Sequence, residues 1–357
     1  MQINILAFSF LFIPIVSCQQ DPKQALSSAS NLVLTSSIDN SSALGLGPSV
    51  ATDIIFQSTD DGQSWQDISA GLPEKLGVGR ISTNNGAVFL AAESKIFHST
   101  NIGAATPVWQ KEVFLEMENT EVYPGQTGNY IRSYGSGLFK NIPGTGVLIP
   151  LNNGLKDKDV RTVIETPDGA VFVGCESGIY KSSDGGNSWK QVLANDGINS
   201  FAAGEGVLIC GTYKGLMRST DGGEHWDTVL TEDGGAWKTD FFGGRFVAIT
   251  QGAKSYGEGA ANRMRSSSDG GLTWQRMDEN LSSALFVFSQ EENSSSVLNI
   301  NDIKMAGQYL FCSCDAGIFR SADWGKSWEP VFNPYGMKMM QLGVSGKVIY
   351  AVKVVGC

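Results

Sequence analysis

The chain has 357 residues, 43 of them glycine, and only 17% are charged, a composition that suits many short strands joined by tight turns. No long stretch repeats its apolar residues at helical spacing, which excludes a helical architecture. With 26 Lys plus Arg against 36 Asp plus Glu, the net charge of -10 excludes sequence-independent nucleic-acid binding, which needs a cationic surface.

In chain order, Ile3 to Val16 forms an apolar stretch too short to span a bilayer comfortably, and it ends in Ile15-Val16-Ser17-Cys18, small residues running into a cysteine. This resembles the lipobox of bacterial lipoproteins, in which the cysteine is lipidated and becomes the mature N-terminus; the departure is that no Lys or Arg precedes the apolar run. The residue after Cys18 is Gln19 rather than Asp, so the resemblance implies the outer membrane, with a lipid anchor at Cys18. Gln19 to about Ser42 is rich in Ser, Gln and Asn and reads as a flexible tether. The expected layout is a signal peptide over 1–18, a tether over 19–45 and a folded domain over 46–357.

The octapeptide Ser58 to Trp65, STDDGQSW, returns as SSDGGNSW at Ser182, STDGGEHW at Ser219, SSDGGLTW at Ser267 and SADWGKSW at Ser321. Self-similarity at a period of a few tens of residues announces a repeat architecture, and each copy lies between short apolar runs of strand character. One full unit reads Val160 to Glu165, a turn at Pro167-Asp168-Gly169, Val171 to Cys175, Gly178 to Lys181, the Ser-Asp-Gly turn, then Trp189 to Leu193: four antiparallel strands. The octapeptide is the hairpin between the third and fourth. Gly supplies positive φ there, the Asp carboxylate accepts backbone N–H bonds across the loop, and Trp covers the hairpin.

Spacing exposes degraded copies at Ser99-Thr100-Asn101 with Trp109 and at Gly137-Leu138-Phe139-Lys140. The ends are complementary: the first copy starts at a third strand, Ile54 to Gln57, whereas the chain stops after a second, Val348 to Val355. Two strands from each terminus complete one sheet and close a ring without exposed edges. The expected fold is all-β, a ring of seven four-stranded antiparallel blades, one composite and six centred near residues 95, 137, 178, 215, 250 and 317.

These residues resemble the Asp-box (BNR-repeat) β-propellers, from about Ile54 to the C-terminus. The group includes sialidases, xyloglucan-type endoglucanases, the sortilin ectodomain and photosystem II assembly factors, so the resemblance implies a fold more than an activity. Sialidases of this fold use an arginine triad, a Tyr activated by Glu and an acidic proton donor, and carry an Arg-Ile-Pro signature. Here the nearest match is Gly79-Arg80-Ile81-Ser82, so no triad carries over.

If the innermost strand of each blade starts on an upper face, the turns between strands two and three share that face and the Asp turns lie beneath. Asp60, Asp184, Asp221, Asp269 and Asp323 are then structural. Candidates for the upper face are Arg80, Tyr134, Arg161, Tyr213, Trp237 and Lys238, with Glu176, Lys214, Asp240 and Asp315 near them. Two long departures from the repeat, Gln251 to Asn262 and Glu279 to Asn299, enlarge it further, and the first carries Lys254, Tyr256 and Glu258 with Arg263 at its end. A cationic, aromatic mouth suits an anionic sugar or an acidic peptide. Cys175, Cys210, Cys312 and Cys314 lie in apolar strand runs as small hydrophobes, no metal ligand set is spaced for zinc, and no cofactor is implied. The reading is a non-catalytic cell-envelope propeller that binds a protein or glycan through its upper face; a sialidase-like glycoside hydrolase is the alternative, and an assembly factor for a membrane complex the third.

Overall fold

A computed structural model describes residues 51–354 apart from 75, 85, 93, 102, 113–119, 143–146, 232–233, 252–262, 282–298 and 334–338. The strands follow the apolar runs. After β1 (Ile55–Ser58) and β2 (Gln66–Asp67), blade 1 is β3 (Val78–Thr83), β4 (Val88–Ala92), β5 (Lys95–Ser99) and β6 (Gln110–Lys111). Blade 2 is β7 (Thr120–Gly125), β8 (Gly128–Ser133), β9 (Gly137–Ile142) and β10 (Val147–Pro150). Blade 3 is β11 (Val160–Glu165), β12 (Val171–Cys175), β13 (Gly178–Ser182) and β14 (Lys190–Ala194). Blade 4 is β15 (Ile198–Gly204), β16 (Val207–Thr212), β17 (Gly215–Ser219) and β18 (Asp227–Leu230). Blade 5 is β19 (Ala236–Phe242), β20 (Arg245–Thr250), β21 (Arg263–Ser267) and β22 (Gln275–Arg276). Blade 6 is β23 (Ile300–Ala306), β24 (Tyr309–Cys314), β25 (Gly317–Ser321) and β26 (Glu329–Phe332).

The last strands, β27 (Met340–Ser345) and β28 (Val348–Lys353), complete blade 7 in the order β2-β1-β28-β27, with Ile55 opposite Val352 and Ser58 opposite Ile349. All seven sheets are four-stranded and antiparallel, so the molecule is a seven-bladed β-propeller whose termini share one blade. Pairing the two ends leaves no gap in the ring and ties its closure to ladder hydrogen bonds.

The core is distributed over the seams rather than gathered at a centre. Each hydrophobic cluster joins two adjacent blades: Tyr130, Leu138 and Leu151 of blade 2 with Val160, Val171 and Val173 of blade 3 are typical. Middle strands such as β12 are therefore buried at every position, whereas outer strands such as β2, β6 and β22 are exposed. β-Branched and aromatic residues fill the middle strands because both of their faces meet a neighbour.

Around the channel, the seven inner strands are joined blade to blade by polar contacts. Arg80 pairs with Glu121 at 3.6 Å, Tyr123 Oη donates to the Arg161 carbonyl at 2.8 Å, and Arg161 Nη1 donates to Asn199 Oδ1 at 3.5 Å. Thr239 Oγ1 donates to Ser200 Oγ at 3.1 Å and Lys304 Nζ to Asp240 at 2.5 Å. The Leu342 N–H donates to the buried Asp302 at 3.0 Å, and Thr83 Oγ1 to the Val344 carbonyl at 2.6 Å, which returns the circuit to blade 1. Side-chain donors and acceptors on the inner strands, which have no fifth strand to pair with, are satisfied in this way.

The octapeptide hairpins hold the seams from the other end. Within one of them Ser182 Oγ donates to Asp184 at 2.7 Å and accepts the Gly186 N–H at 2.8 Å, while Asp184 accepts Ser188 N–H at 2.8 Å and Ser188 Oγ at 2.6 Å. Across the seam, Gly186 sits at φ +96° with its Cα so close to Leu151 of blade 2 that a Cβ would lie 2.6 Å from Leu151 Cδ1. The matching glycines repeat this: Gly62 meets Phe311, Gly223 meets Phe172, Gly271 meets Ile209, and Gly325 meets the Met277 carbonyl at 2.3 Å, each in the preceding blade. Several motif tryptophans reach the same way, Trp189 Nε1 donating to the Leu151 carbonyl at 2.7 Å and Trp328 Nε1 to the Met277 carbonyl at 3.1 Å. From the preceding blade, Arg218 Nε donates to the Gly270 carbonyl at 2.6 Å and Lys181 Nζ to Glu224 at 2.7 Å.

A graded series of glycine substitutions tests this lock. At Gly185, φ is +71° and a Cβ meets nothing within 4 Å, so Gly185→Ala carries only the left-handed backbone cost of about 1–2 kcal/mol. Gly186→Ala adds overpacking of about 1–3 kcal/mol against Leu151. Gly325→Ala, facing a carbonyl that has nowhere to move, is the most damaging. Urea midpoints should fall in that order, and equal midpoints would refute the lock.

Candidate functional site

In an up-and-down blade, a hairpin between strands three and four lies at the end where the first strand finishes, so the start of each inner strand marks the opposite, upper face. At that start the fold inserts a bulge in five blades. The ladder skips a residue between Val78 and Arg80, Val160 and Thr162, Ile198 and Ser200, Ala236 and Lys238, and Ile300 and Asp302. The extra residues are Gly79, Arg161, Asn199, Trp237 and Asn301. A bulge leaves its extra residue outside the ladder and re-aims any side chain it carries.

Three of these join one corner. The Arg161 guanidinium donates to Tyr213 Oη, to Asn199 Oδ1 at 3.5 Å and to Glu176, with which it forms an ion pair. Tyr213 and Glu176 come from the turns between second and third strands of blades 4 and 3, and Tyr213 Oη donates to Glu176 at 3.2 Å. Arg161 also covers the Tyr213 ring at 5.0 Å, and the edge-to-face partner of that ring is Trp237, 5.9 Å away with the planes at 72°. Gly197 supports the arrangement: a Cβ there would lie 2.3 Å from Tyr213 Cε2. Asn199 Nδ2 donates to the Ala236 carbonyl at 3.1 Å, which ties the bulge of blade 4 to that of blade 5. Trp237 keeps 40% of its surface exposed, unlike the motif tryptophans packed at the seams.

The other candidates are engaged elsewhere. Arg80 pairs with Glu121, which Arg132 also holds at 2.7 Å; burial works to raise the Glu121 carboxyl, but the two guanidinium groups outweigh it and keep it below its ordinary value. Lys238 pairs with the buried Asp302, and Arg263 meets Asp278 at 3.4 Å. Lys214 pairs with Asp196 at 2.8 Å, Asp240 with Lys304, and Asp315 accepts Asn299 Nδ2 at 2.7 Å. Tyr134 stands exposed on the β8–β9 turn. Lys254, Tyr256 and Glu258 lie outside the described residues, as do Cys18 and the whole leader and tether.

These pairings correct the expectation of a cationic mouth. Arg161, Lys214, Lys238 and Arg263 each face a carboxylate of their own, and Arg80 shares Glu121 with Arg132. Nor do three arginines gather on the Tyr213–Glu176 pair: Arg161 does, while Arg80 and Arg132 converge on Glu121 one seam away. Glu121, Arg132, Asn199, Asp302 and Lys304 were not among the sequence candidates. Asn199 was accessible to sequence reasoning, because it stands second in its inner strand, as Arg161 and Trp237 do.

On the opposite face, Asp60, Asp184, Asp221, Asp269 and Asp323 are consumed by their own hairpins. Each accepts a hydroxyl two residues back and, four residues on, a backbone N–H and a side-chain donor: Ser64, Ser188, His225, Thr273 and Ser327. These donors favour the ionised form and hold the carboxyls of Asp60, Asp184 and Asp269 down to about 2. Cys175, Cys210, Cys312 and Cys314 are free and buried in the seams, and burial pushes the Cys314 thiol up to about 12. Among the described residues, no group of three or more His, Cys, Asp or Glu is placed to hold a metal ion.

No family model matches the sequence, and no curated protein matches it. Solved structures do. YCF48 bound to D1 peptide is 13% identical with a TM-score of 0.55, the match covering 79% of this chain and 93% of that one. The GH74 xyloglucanase from Xanthomonas campestris is 13% identical with a TM-score of 0.56, over 78% of this chain and 51% of that one. The extracellular domain of a putative one component system from B. thetaiotaomicron is 12% identical with a TM-score of 0.54, over 77% and 39%. The likeness is one of fold alone. This chain thus spans about half of the xyloglucanase and about two fifths of the sensor domain.

The hairpin carboxylates set an acid limit. Their folded values lie below the unfolded value of roughly 3.9, so their contribution is complete above about pH 4 and is lost as pH falls through the folded value near 2. Asn serves the same turn at Asn101, which accepts Ser99 Oγ at 2.6 Å and the Val108 N–H at 2.9 Å without titrating. Melting temperature followed from pH 5 to pH 2 should therefore fall less steeply in Asp184→Asn than in the wild type; an unchanged slope contradicts the assignment.

Proposed function

We propose that the protein is a non-catalytic cell-envelope propeller that binds a protein or glycan ligand through its upper face. The observation that carries this reading is the corner built from Arg161, Glu176, Asn199, Tyr213 and Trp237, where three bulged and two turn positions from three successive blades present an exposed aromatic ring beside internally paired charges. Binding is favoured over turnover because the arginines that a sialidase-type site needs for its substrate are each already occupied by a carboxylate. The structural neighbours give the reading general support: one holds a peptide, one is a xyloglucanase, and one is an extracellular domain.

The second reading, a glycoside hydrolase, is favoured by the Tyr213 to Glu176 hydrogen bond with Arg161 beside it. The full chain in detergent, incubated with a fluorogenic sialoside and with β-glucan, separates the two. The proposal expects both substrates to be recovered intact. Turnover that disappears in Arg161→Ala and Glu176→Gln would falsify it.

The envelope assignment rests on Cys18, at which a lipid anchor places the protein at the outer membrane through the tether of residues 19–45. Cys18→Ala should move the protein from the membrane pellet to the soluble fraction. Retention in the pellet rejects the anchor.

A further inference from the structure

We propose that the upper corner takes a neutral oligosaccharide chain, one pyranose ring of which stacks on Trp237. This rests on the upper-face binding reading and narrows it to a ligand class. The first ground is the aromatic floor. Trp237 is a large apolar ring that the fold keeps 40% exposed by bulging it out of the β19 ladder, although the neighbouring Ala236 and Thr239 are buried. An exposed indole gains most from a flat partner with C–H bonds on its face, and a pyranose ring has one.

The second ground is the wall. Tyr213 stands at 72° to Trp237, and its hydroxyl, the half-exposed Glu176 carboxylate, the Arg161 guanidinium and the Asn199 amide surround the floor with donors and acceptors in close alternation. Neighbouring sugar hydroxyls each donate and accept, which is what such an alternation satisfies. The wall is also fixed in advance. Gly197 lets the backbone lie against one side of Tyr213, Arg161 covers the ring at 5.0 Å, and the hydroxyl is bonded to Glu176, so little side-chain freedom remains to be lost on binding.

The third ground separates a sugar from its competitors. Arg161, Lys214 and Lys238 are matched by Glu176, Asp196 and Asp302, so among the described residues the corner offers no unmatched cation to select an anion. An acidic ligand would have to compete with Glu176 for the Arg161 guanidinium. A peptide bound through its main chain needs the open edge of a sheet, but the upper face presents strand starts and turns.

The test uses the full chain in detergent with cellohexaose, mannohexaose and xylohexaose as neutral probes, and hexagalacturonate, hexaglutamate and an uncharged hexapeptide as competitors. Tryptophan emission and titration calorimetry are recorded at low and high salt for the wild type, Trp237→Ala and Tyr213→Ala. At least one neutral hexasaccharide should bind with a Kd that salt leaves unchanged and change an emission component absent from Trp237→Ala. That variant should bind at least tenfold more weakly while keeping a single cooperative urea transition, and the wild-type affinity should return in part with Trp237→Phe. If only hexagalacturonate, hexaglutamate or the hexapeptide binds and Trp237→Ala weakens it, the neutral-oligosaccharide class is wrong and the upper-face reading stands. If a neutral hexasaccharide binds as well to Trp237→Ala and Tyr213→Ala as to the wild type, the corner is not the site and this proposal is overturned, while the upper-face reading is not. Failure of all three neutral probes to bind overturns the proposal.

Discussion

One glycine per hairpin, held at positive φ against the blade before it, is the constraint on which the ring depends. Gly62, Gly186, Gly223, Gly271 and Gly325 all have φ between +80° and +96°, and at each a side chain would collide with the preceding blade. The hydrogen bonds of the Ser and Asp in the same turn impose that backbone conformation, so hairpin chemistry and blade packing are one device. A blade cannot bury its faces alone; the seam clusters form only when its neighbour arrives at the right distance, and the glycine sets how near that is.

The hairpins that fix the seams lie at one end of the ring, which leaves the other end free to vary. There five of the inner strands begin with bulges whose extra residue varies in chemistry: Gly79, Arg161, Trp237 and, twice, asparagine at Asn199 and Asn301. A side chain outside the ladder carries little of the fold and so accommodates other chemistry. Polar contacts link the inner strands around the channel, and ion pairs such as Arg161–Glu176 and Lys238–Asp302 set carboxylates against the cations of this face.

Turn chemistry made the fold legible in the sequence. Ser-x-Asp-x-Gly-x-x-Trp names its own hairpin, apolar runs name the strands beside it, and complementary chain ends name the closing blade. Degraded copies were still readable, because Ser99 and Asn101 keep the turn without the carboxylate. One detail was hidden: in SADWGKSW, Trp324 occupies φ +58°, held there by its stacking on Phe242 and by Arg245 over its ring. The site was legible in part. Arg161, Tyr213 and Trp237 stood out because they fall at strand starts and turns off the repeat. What meets what across a seam was not legible, because the stagger between blades decides it: Arg80 finds Glu121 in the next blade, and Lys238 finds Asp302 in the next. Positive residues counted along the chain therefore suggested a cationic face, whereas the fold sets a carboxylate against Arg80, Arg161, Lys214, Lys238 and Arg263.

The division of the ring into a supporting lower face and a proposed binding face above is tested most directly by a hydrogen-exchange footprint of the protein saturated with the tightest-binding neutral hexasaccharide. The account predicts slowed exchange confined to residues 133–136, 175–178, 197–200, 212–215 and 235–238, with the five octapeptide hairpins unchanged. Protection concentrated in the hairpins at 58–65, 182–189, 219–226, 267–274 or 321–328 would contradict it.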